Sequence, residues 1–237
     1  MPNSLTIDDF RLFSVTCELR YRNAYLIYDR TGQIIEDVSE FFTDINVAAS
    51  SPQQTSWTTK QGTLVLELGA CRFTSNRAEK NAESFATYCK AFFDAVTHHL
   101  QIGIFTRIGL RYILRKEFKS LDDSKAALAS LMLPNLEPTK RFNSSDSPTE
   151  ILFRWEDSQI GAFVRLKAET IEIKAMPPPE LIDSLPKFEK EINGLTLDID
   201  YYTVAPVDRE QWDALEWLPQ KLRIIRKEVD GILGDGK

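Results

Sequence analysis

Residues 63–73 (TLVLELGACRF), 102–114 (IGIFTRIGLRYIL) and 194–204 (GLTLDIDYYTV) alternate apolar and polar side chains, while 78–100 and 208–233 space their apolar residues three and four apart. Period two makes strands with unlike faces, and period 3.6 makes helices with one apolar stripe. A chain holding both patterns buries the apolar face of a sheet under the helical stripes, which is the α+β solution. In the first helix the stripe is Phe85, Tyr88, Cys89, Phe92, Val96 and Leu100. In the last it is Trp212, Leu215, Leu218, Leu222, Ile225, Val229 and Ile232, with Trp217 and Ile224 beside it as a candidate partner interface. Pro219 falls inside that helix, where a kink or a break is expected.

Between these segments the reading is coarser. RLFSVTCELRY (11–21), AYLIYD (24–29) and QIIEDVSEFF (33–42) are expected to form a hairpin or meander around a turn at Asp29–Gly32, and the polar run 46–61 to be a loop. SLDDSKAALASLML (120–133) reads as a short helix ending at Pro134. ILFRWE (151–156), AFVRLKA (162–168) and TIEIKAM (170–176) read as a meander, and 181–192 as helix. The prolines and polar run of 135–148 mark a linker between an N-terminal unit (1–134) and a C-terminal unit (149–237). LVLEL (64–68) and LTLDI (195–199) share a pattern, each about ten residues before a long helix. Two related units are therefore expected, each an antiparallel sheet with a long amphipathic helix on one face; whether the two sheets fuse into one is left open.

At 237 residues the chain can bury a core without a metal or disulfides. The formal charge of -6 opposes broad attraction to nucleic acid or anionic lipid, although a local basic strand with Arg107, Arg111, Arg115, Lys116 and Lys119 keeps a nucleic-acid reading open. Neither a signal sequence nor an apolar span is apparent, so a cytoplasmic protein without membrane contact is expected. Cys17, Cys71 and Cys89 are scattered and read as small buried hydrophobes. His98 and His99, adjacent on a helix, point about 100° apart and cannot chelate one metal together. No phosphate-loop, dinucleotide or zinc-protease motif occurs. These absences predict no cofactor, no resident metal and no catalytic residue set.

The most distinctive run is Arg107-Ile108-Gly109-Leu110-Arg111-Tyr112-Ile113. It resembles the signature of a sporadically distributed family of uncharacterised bacterial proteins, with Leu114 standing where an asparagine is usual. The preceding helix, the acidic Asp198–Asp200 segment and the closing helix also look like that family. The resemblance implies this architecture, a bacterial origin and, from the patchy distribution, mobile genes such as those of phage defence. Read physically, Arg107, Gly109, Arg111 and Arg115 share one strand face, with Arg107 and Arg111 about 13 Å apart at their Cα atoms. They are candidates for an anion site above the glycine. The favoured reading is structural ion pairing with Glu67, Asp198 and Asp200, which have the right phase and would also be the weak metal ligands of a phosphotransfer or nuclease-like enzyme. The leading expectation is a non-enzymatic interaction protein with a protein partner in a multi-protein bacterial system. Self-association is left open.

Overall fold

The computed structural model describes residues 5–76, 82–131, 149–175 and 188–234. Eleven strands are β1 (Arg11–Arg20), β2 (Asn46–Ser51), β3 (Gln54–Thr58), β4 (Thr63–Glu67), β5 (Ala70–Ser75), β6 (Ile104–Phe105), β7 (Arg107–Phe118), β8 (Glu150–Glu156), β9 (Ile160–Ala175), β10 (Phe188–Thr203) and β11 (Val207–Asp208). Four helices accompany them among the described residues: α1 (Ile27–Val38), α2 (Ala82–Leu100), α3 (Leu121–Ser130) and α4 (Ala214–Gly234). Nine strands form one antiparallel sheet in the order β2-β3-β4-β5-β1-β7-β10-β9-β8, and β6 and β11 make a small ribbon beside it.

The α+β class and the antiparallel sheet are as the patterns predict. The open question of one sheet or two is answered by β7, which pairs with β1 on one side and β10 on the other, so a single sheet runs through both expected units. Nor do the two matching segments occupy equivalent places. LVLEL lies in β4 between β3 and β5, and another sheet strand follows before α2. LTLDI lies in β10 between β9 and β7 and leads to α4 through only the small ribbon. This strand order does not support an internal duplication. The expected linker 135–148 lies outside the described residues.

Three local readings are corrected. Residues 27–38 are helix α1, not a hairpin: Ile27, Ile34 and Val38 are its buried face, and Gly32 sits in open space where a glycine is tolerated. Residues 46–58 are the β2–β3 hairpin at the sheet edge, where full exposure of β2 explains its polar sequence. Phe188–Ile192 extend β10, paired residue for residue with β9, instead of forming a helix; residues 181–187 lie outside the described residues. Helix α4 continues through Pro219, and Leu215, whose carbonyl loses its helical donor, is exposed.

The core lies on one face of the sheet. Val15, Cys17 and Leu19 of β1, Leu64 and Leu66 of β4, Ile108 and Leu110 of β7, and Leu195, Leu197 and Ile199 of β10 join one buried cluster with the inner faces of all four helices. Helix α2 packs between α1 and α4, and α3 covers β9 and β10. The three cysteines, remote in sequence, meet inside this core, where burial pushes the Cys71 and Cys89 thiols well above their ordinary pKa and leaves them poor nucleophiles. No helix among the described residues is long and apolar enough to cross a membrane.

Candidate functional site

The alternate positions of the same strands carry charge, because each residue beside a core residue points to the other side of the sheet. Across β4, β5, β1, β7 and β10 they form a ladder. Glu67 meets Arg72 at 3.0 Å, and Arg72 reaches Glu18 at 3.9 Å. Glu18 accepts from Arg20 Nε at 2.6 Å and from Arg107 at 3.2 Å. Arg107 donates onward to Asp200 at 2.7 Å. One turn of the alternation away, Arg111 grips both oxygens of Asp198 through Nε and Nη2, each at 2.8 Å.

Gly109 has a definite role in this ladder. A Cβ built there would lie 2.9 Å from Arg107 Nη1, so the glycine makes room for the guanidinium to fold back along its own strand. From that position Arg107 spans Glu18 and Asp200 and also lies 4.5 Å from the centre of the Tyr202 ring. Tyr202 itself lies across Gly161, donates to Glu156 at 2.7 Å, and Glu156 takes Arg154 at 3.1 Å. The space above Gly109, a candidate anion site in the sequence, is filled by Arg107, whose ion pairs follow the reading favoured there.

Burial shapes the energetics. Asp198 is only 6% exposed, a position a carboxylate holds only when paired, and the two-point contact with Arg111 meets that need. That contact in turn raises the Arg111 pKa above its ordinary value. Desolvation raises the Asp200 pKa, and the nearby Arg107 opposes the rise. Glu67 pairs within its own half of the sheet and reaches neither motif arginine. The three carboxylates considered as metal ligands are thus separated by arginines. Among the described residues no three His, Cys, Asp or Glu side chains gather where they could hold a metal ion.

Arg115 stands apart from Arg107 and Arg111. Among the described residues it has no carboxylate within ion-pair range, its Nε is buried without a hydrogen-bond partner, and its guanidinium lies 3.6 Å from the centre of the Phe13 ring. Desolvation lowers its pKa, with Glu169 pulling weakly the other way. Of the remaining candidates, Lys116 is tied to Asp9 at 2.8 Å. Trp217 packs half-buried near Tyr201, whereas Ile224 on the same helix is exposed. His99 bonds Asp37 at 2.7 Å and His98 stacks edge-on against His99, so the histidines play no part at the charged face.

Glu18 and Arg72 were not singled out in the sequence, although both alternate with core residues, Glu18 between Cys17 and Leu19 and Arg72 between Cys71 and Phe73. The opposing partners needed to recognise them come from strand register, which the sequence alone does not supply. No family model matches this chain, and no curated protein matches it. Among solved structures, it aligns with the crystal structure of the di-domain ARO/CYC StfQ from the steffimycin biosynthetic pathway at 9% identity, over 93% of this chain and 97% of that one. The TM-score of that alignment is 0.17, too low for the overlap to carry any argument about fold or activity.

Proposed function

We propose that this chain is a protein-binding component of a larger assembly, engaging an extended segment of its partner by strand addition at the outer edge of β8, and is not a catalyst acting alone. The observation that carries this reading is the character of that edge. No strand pairs with it among the described residues, and its register to β9 is continuous from Glu150 to Glu156. One face is apolar, with Ile151, Phe153 and Trp155 in a row, Trp155 stacked on Phe153 at 5.7 Å and 49% exposed; on the other, Leu152, 51% exposed, stands among Glu150, Arg154 and Glu156. Natural sheet edges are usually guarded by lysine, proline or a bulge. The opposite edge, β2, has such a bulge between Val47 and Ala49 and is made mostly of small residues. β8 has no lysine, proline or bulge and keeps its charges, Glu150, Arg154 and Glu156, on one face, so its outer backbone groups and the apolar row Ile151, Phe153 and Trp155 are what strand addition uses.

The engagement of Asp198, Asp200 and Glu67 by arginines supports the non-catalytic part of the reading. The resemblance of residues 107–113 to a sporadic bacterial family extends the proposal to a multi-protein bacterial system, with phage defence as its setting. Display selection of peptides on the full chain tests the edge. Peptides with alternating apolar residues should be enriched, and Leu152→Lys should weaken their binding by about tenfold or more. Self-association abolished by the same substitution would assign the edge to a second copy. Mg²⁺- or Mn²⁺-dependent cleavage of nucleic acids or phosphate esters, lost in folded Asp198→Ala and Asp200→Ala variants, would overturn the reading in favour of an enzyme.

A further inference from the structure

The open face of the sheet holds a second feature, remote from β8 and independent of the reading above. β1 and β7 place Arg11 and Arg115 directly opposite one another, so both side chains leave the same face. Like charges at directly opposed positions repel, and here neither guanidinium has a carboxylate in ion-pair range among the described residues. The contrast lies within one strand, since Arg107 and Arg111 are both neutralised. Between Leu12 and Ser14 the register shifts, leaving Phe13 as the unpaired residue of a bulge, and its ring comes to lie against Arg115. Bulges recur beside sites where a side chain has to be re-aimed.

These residues border a groove of about 490 Å³, within the range of small-molecule sites. Ile171 and Ile192, paired across β9 and β10, line it with the half-exposed Phe13. The charged groups nearby are largely spoken for. Lys116 holds Asp9, and Glu169 is held by Lys167 at 2.8 Å and by Thr196 at 2.6 Å; Glu117, exposed, also borders the groove, where its charge opposes an anion. Two guanidiniums and an apolar wall thus face one space against the exposed carboxylate of Glu117, and Arg115 Nε is a buried donor with nothing among the described residues to donate to. A group left in that state loses its hydration without replacement.

We propose that the groove between Arg11, Arg115 and Phe13 binds a small organic oxyanion, a phosphate monoester or a carboxylate, whose apolar body lies against Phe13, Ile171 and Ile192. The forked donors of two arginines fit the oxygens of either group. The anion would supply the missing acceptor for Arg115 Nε and relieve the repulsion between the two guanidiniums. The apolar wall accounts for selection of an organic anion over an inorganic one.

Calorimetric titration of the full chain with phenyl phosphate, benzoate, inorganic phosphate and phenol tests this. Phenyl phosphate or benzoate should bind saturably, at least about tenfold more tightly than inorganic phosphate or phenol, and the better of the two names the head group. Arg115→Gln and Arg11→Gln should each weaken that binding about tenfold or more, and Phe13→Ala should weaken phenyl phosphate while leaving inorganic phosphate unchanged. Arg11 is exposed, so its variant keeps the test decisive if Arg115→Gln fails to fold. In the absence of ligand, Arg11→Gln should melt at the same temperature or a few degrees higher, of order 1 to 3 °C, because a repulsion is removed. No saturable binding by either organic anion, or equal binding in the wild type and Arg11→Gln, would overturn the proposal.

Discussion

Arg107→Met is expected to lower the unfolding free energy by about 2 to 3 kcal/mol at neutral pH, the range for leaving partly buried carboxylates without their cation. Asp200 loses the only side chain that hydrogen-bonds it among the described residues, and Glu18 keeps Arg20 and the more distant Arg72. The ring contact to Tyr202 goes as well. The deficit should depend on pH in a definite direction. Burial already raises the Asp200 pKa above its ordinary 3.8, so ionisation of this group works against the fold, and its favourable contribution is lost as pH rises through the raised value. Without Arg107 the pKa rises further. The variant should therefore approach the wild type at pH below the ordinary carboxylate value, where Asp200 is protonated in folded and unfolded chains alike, and fall away as pH increases. Urea unfolding at several pH values measures this. A deficit that is flat with pH, or below about 0.5 kcal/mol, would mean that the ladder contributes little.

Phe73→Ala should cost more, about 3 to 5 kcal/mol, the usual loss for a large aromatic removed from a closed core. Phe73 is fully buried on β5, opposite Leu64 of β4 and Cys17 of β1. Its ring meets Phe42 edge-on at 5.4 Å, Phe85 in a stack at 5.4 Å and Tyr88 at 6.2 Å. The cluster joins the segment after α1 to the sheet and to α2, so the substitution removes contacts from three elements together. Chemical denaturation checks the value. A loss under about 1 kcal/mol would contradict the packing of α1 and α2 on this end of the sheet.

Much of the sheet was legible because its core strands alternate cleanly. β4, β7 and the second half of β10 have one face mainly of Leu, Ile and Tyr and another mainly of charged or small residues, and that phase made Glu67, Asp198 and Asp200 candidate partners of the arginines; which acid meets which arginine comes from register. Helices α2 and α4 were legible for the same reason at the other period. Helix α1 was not, because Tyr25 and Tyr28 add exposed aromatics that imitate a strand and Gly32 imitates a turn. The β2–β3 hairpin was hidden by exposure, since an edge strand facing solvent on both sides has no apolar alternation to read. Single-sheet topology was hidden by distance: β1 and β7 meet across almost a hundred residues, and no local pattern encodes that pairing. The division among the arginines was hidden too. All three share a phase, and only the bulge at Phe13 and the register opposite Arg11 separate Arg115 from its ion-paired neighbours.

That division is the centre of the account, and arginine side-chain NMR observes it directly. In the free protein the Nε–H signal of Arg111 and the Nη–H signals of Arg107 should already be those of groups fixed by carboxylates, and titration with phenyl phosphate should leave them in place. Arg115 Nε–H, with no acceptor, should move and become protected from solvent exchange as ligand is added, with Arg11 following. Movement of Arg107 and Arg111 with Arg115 unchanged would contradict the account and return the anion site to the face of Gly109.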